Sequence, residues 1–501
     1  MLATFMEVLD TTVVNVSLPH IAGDLSAGVD ETTWVITSYL VSNAIVLPAT
    51  GWLSSLFGRK RFYMSCVAPF TVSSLLCGTV HSLTALIVFR VIQGLGGGAL
   101  QPISQAVLLE SFPLRRRGIG MAIFGIGVVF APVIGPTLGG WITDAYSWHW
   151  VFFINVPVGI LSLLLTQMNV ADPPYLRRAV RRVDYLGLGL LAVGIGALQV
   201  VLDKGQREDW FETGWMLQLA ILSGVCLAAL IIWELRTSHP VIDIRIFRVR
   251  NYAPAAALIF TLGIALYGSL VLLPLFLQNL LGYSATDSGL AMSPGGIGTL
   301  VCMPLVGYLV ARRDVRFMIL FGLGMLSASM FMCSHYNLSI SFWDAVYPRV
   351  VMGIGLAFLF VPLATAMASF MPREKIGTAT GIFNLMRNIG GSLGIAMMTT
   401  LLARRQQFHQ GRLVENLSSY SIRFQQMTKQ VVARLTTSGH PPLIAQKQAT
   451  ALVYSSVLRE ASAMSFIDCF WLLGVGMIAI MPMILMMRKP PRQVGPPSGA
   501  H

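Results

Sequence analysis

Two carboxylates and one arginine stand in sequence that is otherwise apolar. Glu7 and Asp10 fall within Met6-Glu7-Val8-Leu9-Asp10-Thr11-Thr12-Val13-Val14-Asn15, and Arg90 lies inside Leu86-Ile-Val-Phe-Arg90-Val-Ile-Gln-Gly94. Three residues apart on a helix, Glu7 and Asp10 share a face, and Asn15 is expected within two turns on a similar side. An ionised carboxylate inside a membrane span costs a few kcal/mol, so each must face a cavity, pair with a cation or take up a proton. Arg90 keeps its own proton and is the natural countercharge. The chemistry expected is proton loading and release; a fixed polar contact locking the first helix to a neighbour is the alternative. Arg349 and Arg387 are secondary candidates. Arg349 is placed near the outer end of its span, where its guanidinium would snorkel to the interface.

The elements that must hold these groups repeat at long range. Pro48-Ala-Thr-Gly51-Trp-Leu recurs as Pro304-Leu-Val-Gly307-Tyr-Leu, an offset of 256, and Arg90-Val-Ile-Gln-Gly94-Leu-Gly96 recurs as Arg349-Val-Val-Met-Gly353-Ile-Gly355, an offset of 259. In each half the first of these elements is followed by a basic turn, Arg59-Lys60-Arg61 and then Arg312-Arg313. Two equivalent bundles with a working site between them are the expected plan. A further stretch, Ala131-Pro132-Val-Ile-Gly135-Pro136-Thr-Leu-Gly139-Gly140, combines two prolines with small residues four apart, which predicts a kinked helix closely packed on a neighbour.

Composition agrees. Of the 501 residues 55% are hydrophobic and 11% charged, against about 25% charged in soluble domains. The net charge of +13 follows from lipid topology, and no basic stripe with interleaved aromatics suggests nucleic acid. The six cysteines sit in or beside apolar runs with no C-x-x-C pair, which argues against a disulfide framework or a metal site. There is no G-x-S-x-G, H-E-x-x-H or Walker loop, so no enzyme and no cofactor is expected, and energy must come from an ion gradient or from the solute. No cleavable signal peptide is evident. Glu7 and Asp10 arrive so early that a short N-terminal extension is expected ahead of this start.

Fourteen apolar runs are long enough to span, and runs of this length with internal Gly and Pro exclude barrel strands. Alternate loops and the C-terminal tail hold 22 of the 35 basic residues, while the opposite short loops hold Lys204 and Arg207. That bias places both termini in the cytoplasm. The expected organisation is an N-terminal six-helix bundle over 1–168, two inserted helices with linkers over 169–253, a C-terminal six-helix bundle over 254–487 and a cytoplasmic tail over 488–501. The polar segment 403–462 is expected as two helices broken at Ser438-Gly-His-Pro-Pro442, lying on the membrane surface or serving as a docking surface for a periplasmic partner.

Taken together these residues resemble the major facilitator superfamily, and within it the fourteen-helix drug:proton antiporters of the EmrB type. Leu9-Asp10-Thr-Thr-Val-Val-Asn15-Val-Ser-Leu-Pro19 is similar to that family's first-helix signature, Arg90 to Gly98 to its fourth-helix arginine motif, and Ala131 to Gly140 to its antiporter motif. Trp148-His-Trp-Val-Phe-Phe-Ile-Asn155-Val-Pro157 is also typical of the group. In the cytoplasmic gating loop Gly51, Leu53, Gly58 and Arg59 match the family pattern, but Ser55 replaces its aspartate and Leu56 follows, so the charge contact attributed to that aspartate is not expected. The resemblance implies proton-driven export of hydrophobic or amphipathic compounds from a bacterial inner membrane. It also implies a periplasmic adaptor of the membrane-fusion type and a TolC-like outer-membrane channel. An exporter of one physiological metabolite, such as a siderophore, fatty acid or amino-acid derivative, is the alternative cargo reading.

Overall fold

Lipid leaves the backbone no partner outside its own helix. The computed structural model describes residues 1–113, 116–172, 184–238, 240–415, 422–438 and 441–488, and among them it contains helices and turns with no strand. In chain order the long helices are α1 (Leu2–Asp24), α2 (Trp34–Phe57), α3 (Arg59–Cys77), α4 (Leu83–Gly97 continued by Leu100–Ser111), α5 (Arg117–Ala145), α6 (Asn155–Asn169), α7 (Tyr185–Lys204) and α8 (Gly214–Arg236). They continue as α9 (Tyr252–Leu281), α10 (Ala285–Val310), α11 (Val315–Cys333), α12 (Phe342–Ala368), α13 (Ile376–Glu415), α14 (Ile422–Thr437) and α15 (Pro442–Ala479). Ten of these rods are long and apolar enough to cross a membrane, and α5 makes eleven if its bent halves are one span. The three other expected spans, α1, α3 and α13, are less apolar because they carry the acidic pair, the Arg59-Lys60-Arg61 turn and, within the α13 span, Asn384, Arg387 and Asn388.

Side-chain caps start several helices on the residues best suited to it. Ser82, Ser284 and Ser341 accept from backbone N–H groups at the starts of α4, α10 and α12, and Asp344 closes a capping box with Ser341. The expected kink in α5 is present: Arg117–Pro132 and Ile134–Ala145 meet at 43°, where Pro136 removes the donor to the Pro132 carbonyl.

The most extensive contacts between the two halves come as two related pairs. α2 packs on α13, and α10 on α5. At the end carrying Arg59 and Arg117 both pairs close to backbone distance. A Cβ on Gly118 would stand 2.5 Å from the Gly307 carbonyl oxygen, and one on Gly51 would run into the backbone of Thr378. Gly51 and Gly307 are partners in the 256-residue repeat, so the two closures are one contact used twice.

The helices α7 and α8 form a hairpin joined by Ser223 Oγ to the Gly194 carbonyl at 2.9 Å. α8 lies at the periphery, with most of its apolar length exposed. α7 instead bridges α2 and α13. Its Asp203 and Lys204 bond Thr37 and Thr33 of α2, and Gln199 Nε2 donates to Ser392 Oγ of α13 at 2.7 Å.

The polar segment departs from the expected surface helices. α13 runs unbroken from its span to Glu415, and α15 begins at Pro442 and continues into the last span. Both therefore extend membrane rods, since nothing in 403–415 or 442–462 breaks helical hydrogen bonding. α14 packs against α15, and the expected break does separate these two helices, although Gly439 and His440 lie outside the described residues.

Candidate functional site

α1 carries the acidic pair into the bundle with its polar face turned from lipid. Asp10 is fully buried. Its Oδ2 accepts from Arg90 Nη1 at 2.6 Å, and its Oδ1 accepts from Asn155 Nδ2 at 2.7 Å and Gln93 Nε2 at 3.0 Å. Arg90, also sealed, donates from Nε to the Val35 carbonyl at 3.0 Å and lies 4.2 Å above the Tyr39 ring. The Asp10 carboxylate is thus held by donors from α4 and α6, and a proton placed on it would meet donors on both oxygens.

Glu7, one turn away, has different company. Oε1 accepts from Asn43 Nδ2 at 3.1 Å and the Tyr39 hydroxyl at 3.4 Å, and Oε2 accepts from Gln101 Nε2 at 2.5 Å. All three partners are neutral, and the Tyr39 hydroxyl can donate or accept, so Oε1 has a partner in either protonation state of Glu7. The other face of Gln101 accepts from Arg387 Nη2 on α13. A carboxylate of the first six spans is therefore joined through one amide to a cation of the last six. Asn384 Nδ2 to Gln105 Oε1, at 2.7 Å, makes a second such link.

An apolar cavity lies beside this chain. Val128, Val129, Pro132 and Pro136 of α5 face Leu262, Leu266, Leu356 and Phe360 across it, and Arg349 and Arg387 are its charged lining. The antiporter-type motif divides its labour: Pro132 and Pro136 line the cavity, while Gly135 and Gly139 lie against Thr12 and Val13 of α1, immediately behind Asp10. Gly140 stands in looser surroundings, its nearest neighbour being Val16.

Two expectations are corrected. Asn15 is exposed, because five residues turn a helix by about 500°, which leaves it about 140° from Asp10. Arg349 does not snorkel; it is 4% exposed, turned inward by Ser269, whose carbonyl accepts from Nη2 at 2.8 Å. The sequence reading also missed Gln93, Gln101, Asn155, Asn43 and Tyr39. Gln93 and Asn155 stood within the quoted motifs, whereas Gln101, Asn43 and Tyr39 carry no local signal.

The acid that pairs with the loop after α2 comes from α4. Arg59 donates to Glu110 Oε2 at 2.6 Å and Oε1 at 3.0 Å, a bidentate pair with the far end of α4. Gly58 holds φ +86°, a left-handed conformation that favours glycine, and a Cβ there would press on Asp172, which accepts from the Lys60 N–H at 2.8 Å.

A model of the Major Facilitator Superfamily matches residues 1–395. The Multidrug export protein EmrB of Haemophilus influenzae is 37% identical over 492 residues, covering 98% of this chain and 94% of that protein. The Fatty acid resistance protein FarB of Neisseria gonorrhoeae is 36% identical over 502 residues, covering 100% and 96%. Among solved structures, the human organic anion transporter MFSD10 aligns with a TM-score of 0.63 at 13% identity, covering 96% of this chain and 97% of that one. With two related sets of spans, a buried carboxylate and arginine pair between α1 and α4, and relatives matched end to end, the chain belongs to the major facilitator superfamily, among the EmrB-type export proteins.

Proposed function

We propose that this chain exports hydrophobic and amphipathic compounds, drugs among them, across a bacterial inner membrane by alternating access driven by proton antiport. The observation that carries the reading is the buried chain Glu7, Gln101, Arg387, which makes the charge state of one half felt by the other. Two EmrB-type multidrug export relatives, at 37% and 35% identity, support the cargo class. Glu7 is the carboxylate that exchanges protons first, since its hydrogen-bond partners are neutral and the Tyr39 hydroxyl serves both states; Asp10 follows when Arg90 lets go. A proton entering from outside removes the charge that Gln101 relays to Arg387, loosens the two halves and favours release of cargo. Its departure inward restores the binding state. Each proton crossing about 100 mV supplies about 2.3 kcal/mol, enough for roughly a 50-fold gradient at one-to-one coupling.

Both termini are cytoplasmic in this reading, with the Arg59 and Arg117 end inside. The extensions of α13 and α15, with α14 against them, dock a periplasmic adaptor that leads to a TolC-like channel. A narrower cargo, one physiological amphiphile, is favoured by the relative named for fatty acid resistance. The test uses proteoliposomes with an internal pH dye and an imposed pH gradient. Adding ethidium or another lipophilic cation should move protons in the wild type and not in Glu7→Gln or Asp10→Asn. Solute movement with no proton movement in the wild type would reduce the protein to a facilitator and end the antiport reading.

A further inference from the structure

The two halves contain the same charged site in two versions. In the first half Arg90 Nη1 donates to Asp10 on α1 at 2.6 Å and to Gln93 Oε1, three residues further along α4, at 2.8 Å. In the second half Arg349, at Arg90's place in the repeat, donates from Nη1 to Ser269 Oγ on α9 at 3.4 Å and to Met352 Sδ, three residues further along α12, at 3.0 Å. Ser269 lies 259 residues after Asp10, and Met352 lies 259 after Gln93. The helices, spacing and contacts are preserved; the carboxylate has become a hydroxyl and the amide a thioether.

The arginine has therefore kept its place and lost its counterion. Arg349 is 4% exposed, forms no ion pair among the described residues, and its Nε has no hydrogen-bond partner there. A buried guanidinium without a counterion is costly, and its hydrogen-bond partners here, Ser269 and Met352, are neutral. It lines the apolar cavity together with Leu262, Leu266 and Leu356. Arg387, which also lines that cavity, is already linked through Gln101 to Glu7.

We propose that Arg349 is the head-group subsite of the cavity and that its unpartnered Nε side takes the carboxylate of an anionic amphiphile, which supplies the countercharge that Asp10 supplies in the other half. The Nε edge of a guanidinium presents two parallel donors at the spacing of a carboxylate's oxygens, and the apolar lining receives the body of the molecule. Arrival of the substrate brings the second half to the same neutral pairing that the first half holds internally. This assignment rests on the export reading above and names the cargo of that site.

The substitution Ser269→Asp tests it, because it rebuilds the first half's pair around Arg349. With the full chain in neutral-lipid nanodiscs and no gradient, binding of radiolabelled dodecanoate is compared with binding of dodecyltrimethylammonium. In Ser269→Asp, and separately in Arg349→Gln, dodecanoate affinity should fall about ten- to hundred-fold relative to the cationic probe, the scale of one charge-assisted hydrogen bond. Thermal melting of each variant reports that it is folded. Dodecanoate binding that is absent in the wild type, unchanged in folded variants, or lost in step with the cationic probe would overturn the subsite. Absence of ethidium-driven proton movement in wild-type proteoliposomes would instead overturn the antiport reading and leave the binding comparison standing.

Discussion

Asp10 and Glu7 stand one turn apart and are held by chemically different partners, so they should fail differently. Asp10→Asn leaves Arg90 buried without its counterion, and breaking such a pair costs about 3–5 kcal/mol. The expected outcome is a lower melting temperature in detergent together with lost coupling. A double-mutant cycle with Arg90→Gln should recover part of the stability, because the second change removes the uncompensated charge. Glu7→Gln keeps one acceptor oxygen, enough for Asn43 or Gln101 but not both, and strands no charged partner, so it should melt closer to the wild type than Asp10→Asn while losing pH-driven transport; normal coupling in that variant would transfer the proton to Asp10 alone. The Asp10 and Arg90 partnership was legible in the sequence, since an acid and a base that each cost energy in lipid explain one another. Gln93, Asn155 and Gln101 were not: an amide in a membrane helix is unremarkable until three helices bring it to one carboxylate. Ser269 and Met352 were harder still, because what distinguishes them is the group each lacks.

Among the elements, the glycines of α5 and α10 decide how closely the rods approach. Gly118→Val places two methyl groups against the Gly307 carbonyl, and small-residue packing of this kind has no slack for a branched side chain. Spin labels on Arg116 and Arg373 should report a longer distance in that variant than in an otherwise wild-type chain. An unchanged distance would mean that the α5 and α10 contact does not hold this end closed. Span positions were readable from apolar runs and the repeat offset, and the α5 kink from its prolines. The continuity of α13 and α15 beyond their spans was not, because a polar helix on the bilayer surface and a polar helix projecting from it share one residue pattern; Arg405, His409 and Asp468 come together only in the folded hairpin.

For the whole molecule, the fourteen spans expected from the sequence are an even number, which would put both termini on the side of the basic turns at Arg59, Arg312 and Arg373. Reporter fusions at either end of the chain should give cytoplasmic signals, and a periplasmic signal at one terminus would require an odd number of crossings. The inserted α7 joins α2 and α13 along one flank. Replacing Gln199 with Ala removes its bond to Ser392 and should lower thermal stability by about 0.5–1.5 kcal/mol, the net worth of a hydrogen bond, with insertion intact.

The paired contacts of Gly51 with Thr378 and of Gly118 with Gly307 impose a rule on how the basic end can part. A door fastened at two mirrored latches swings only when both are released, since freeing one alone would twist each half against the other. Partial opening would leave a gap on one flank that leaks protons and cargo alike. In the proposed transport cycle, two matched fastenings would make opening of this end all-or-none, and the tightness of coupling would then belong to that geometry as much as to any single carboxylate.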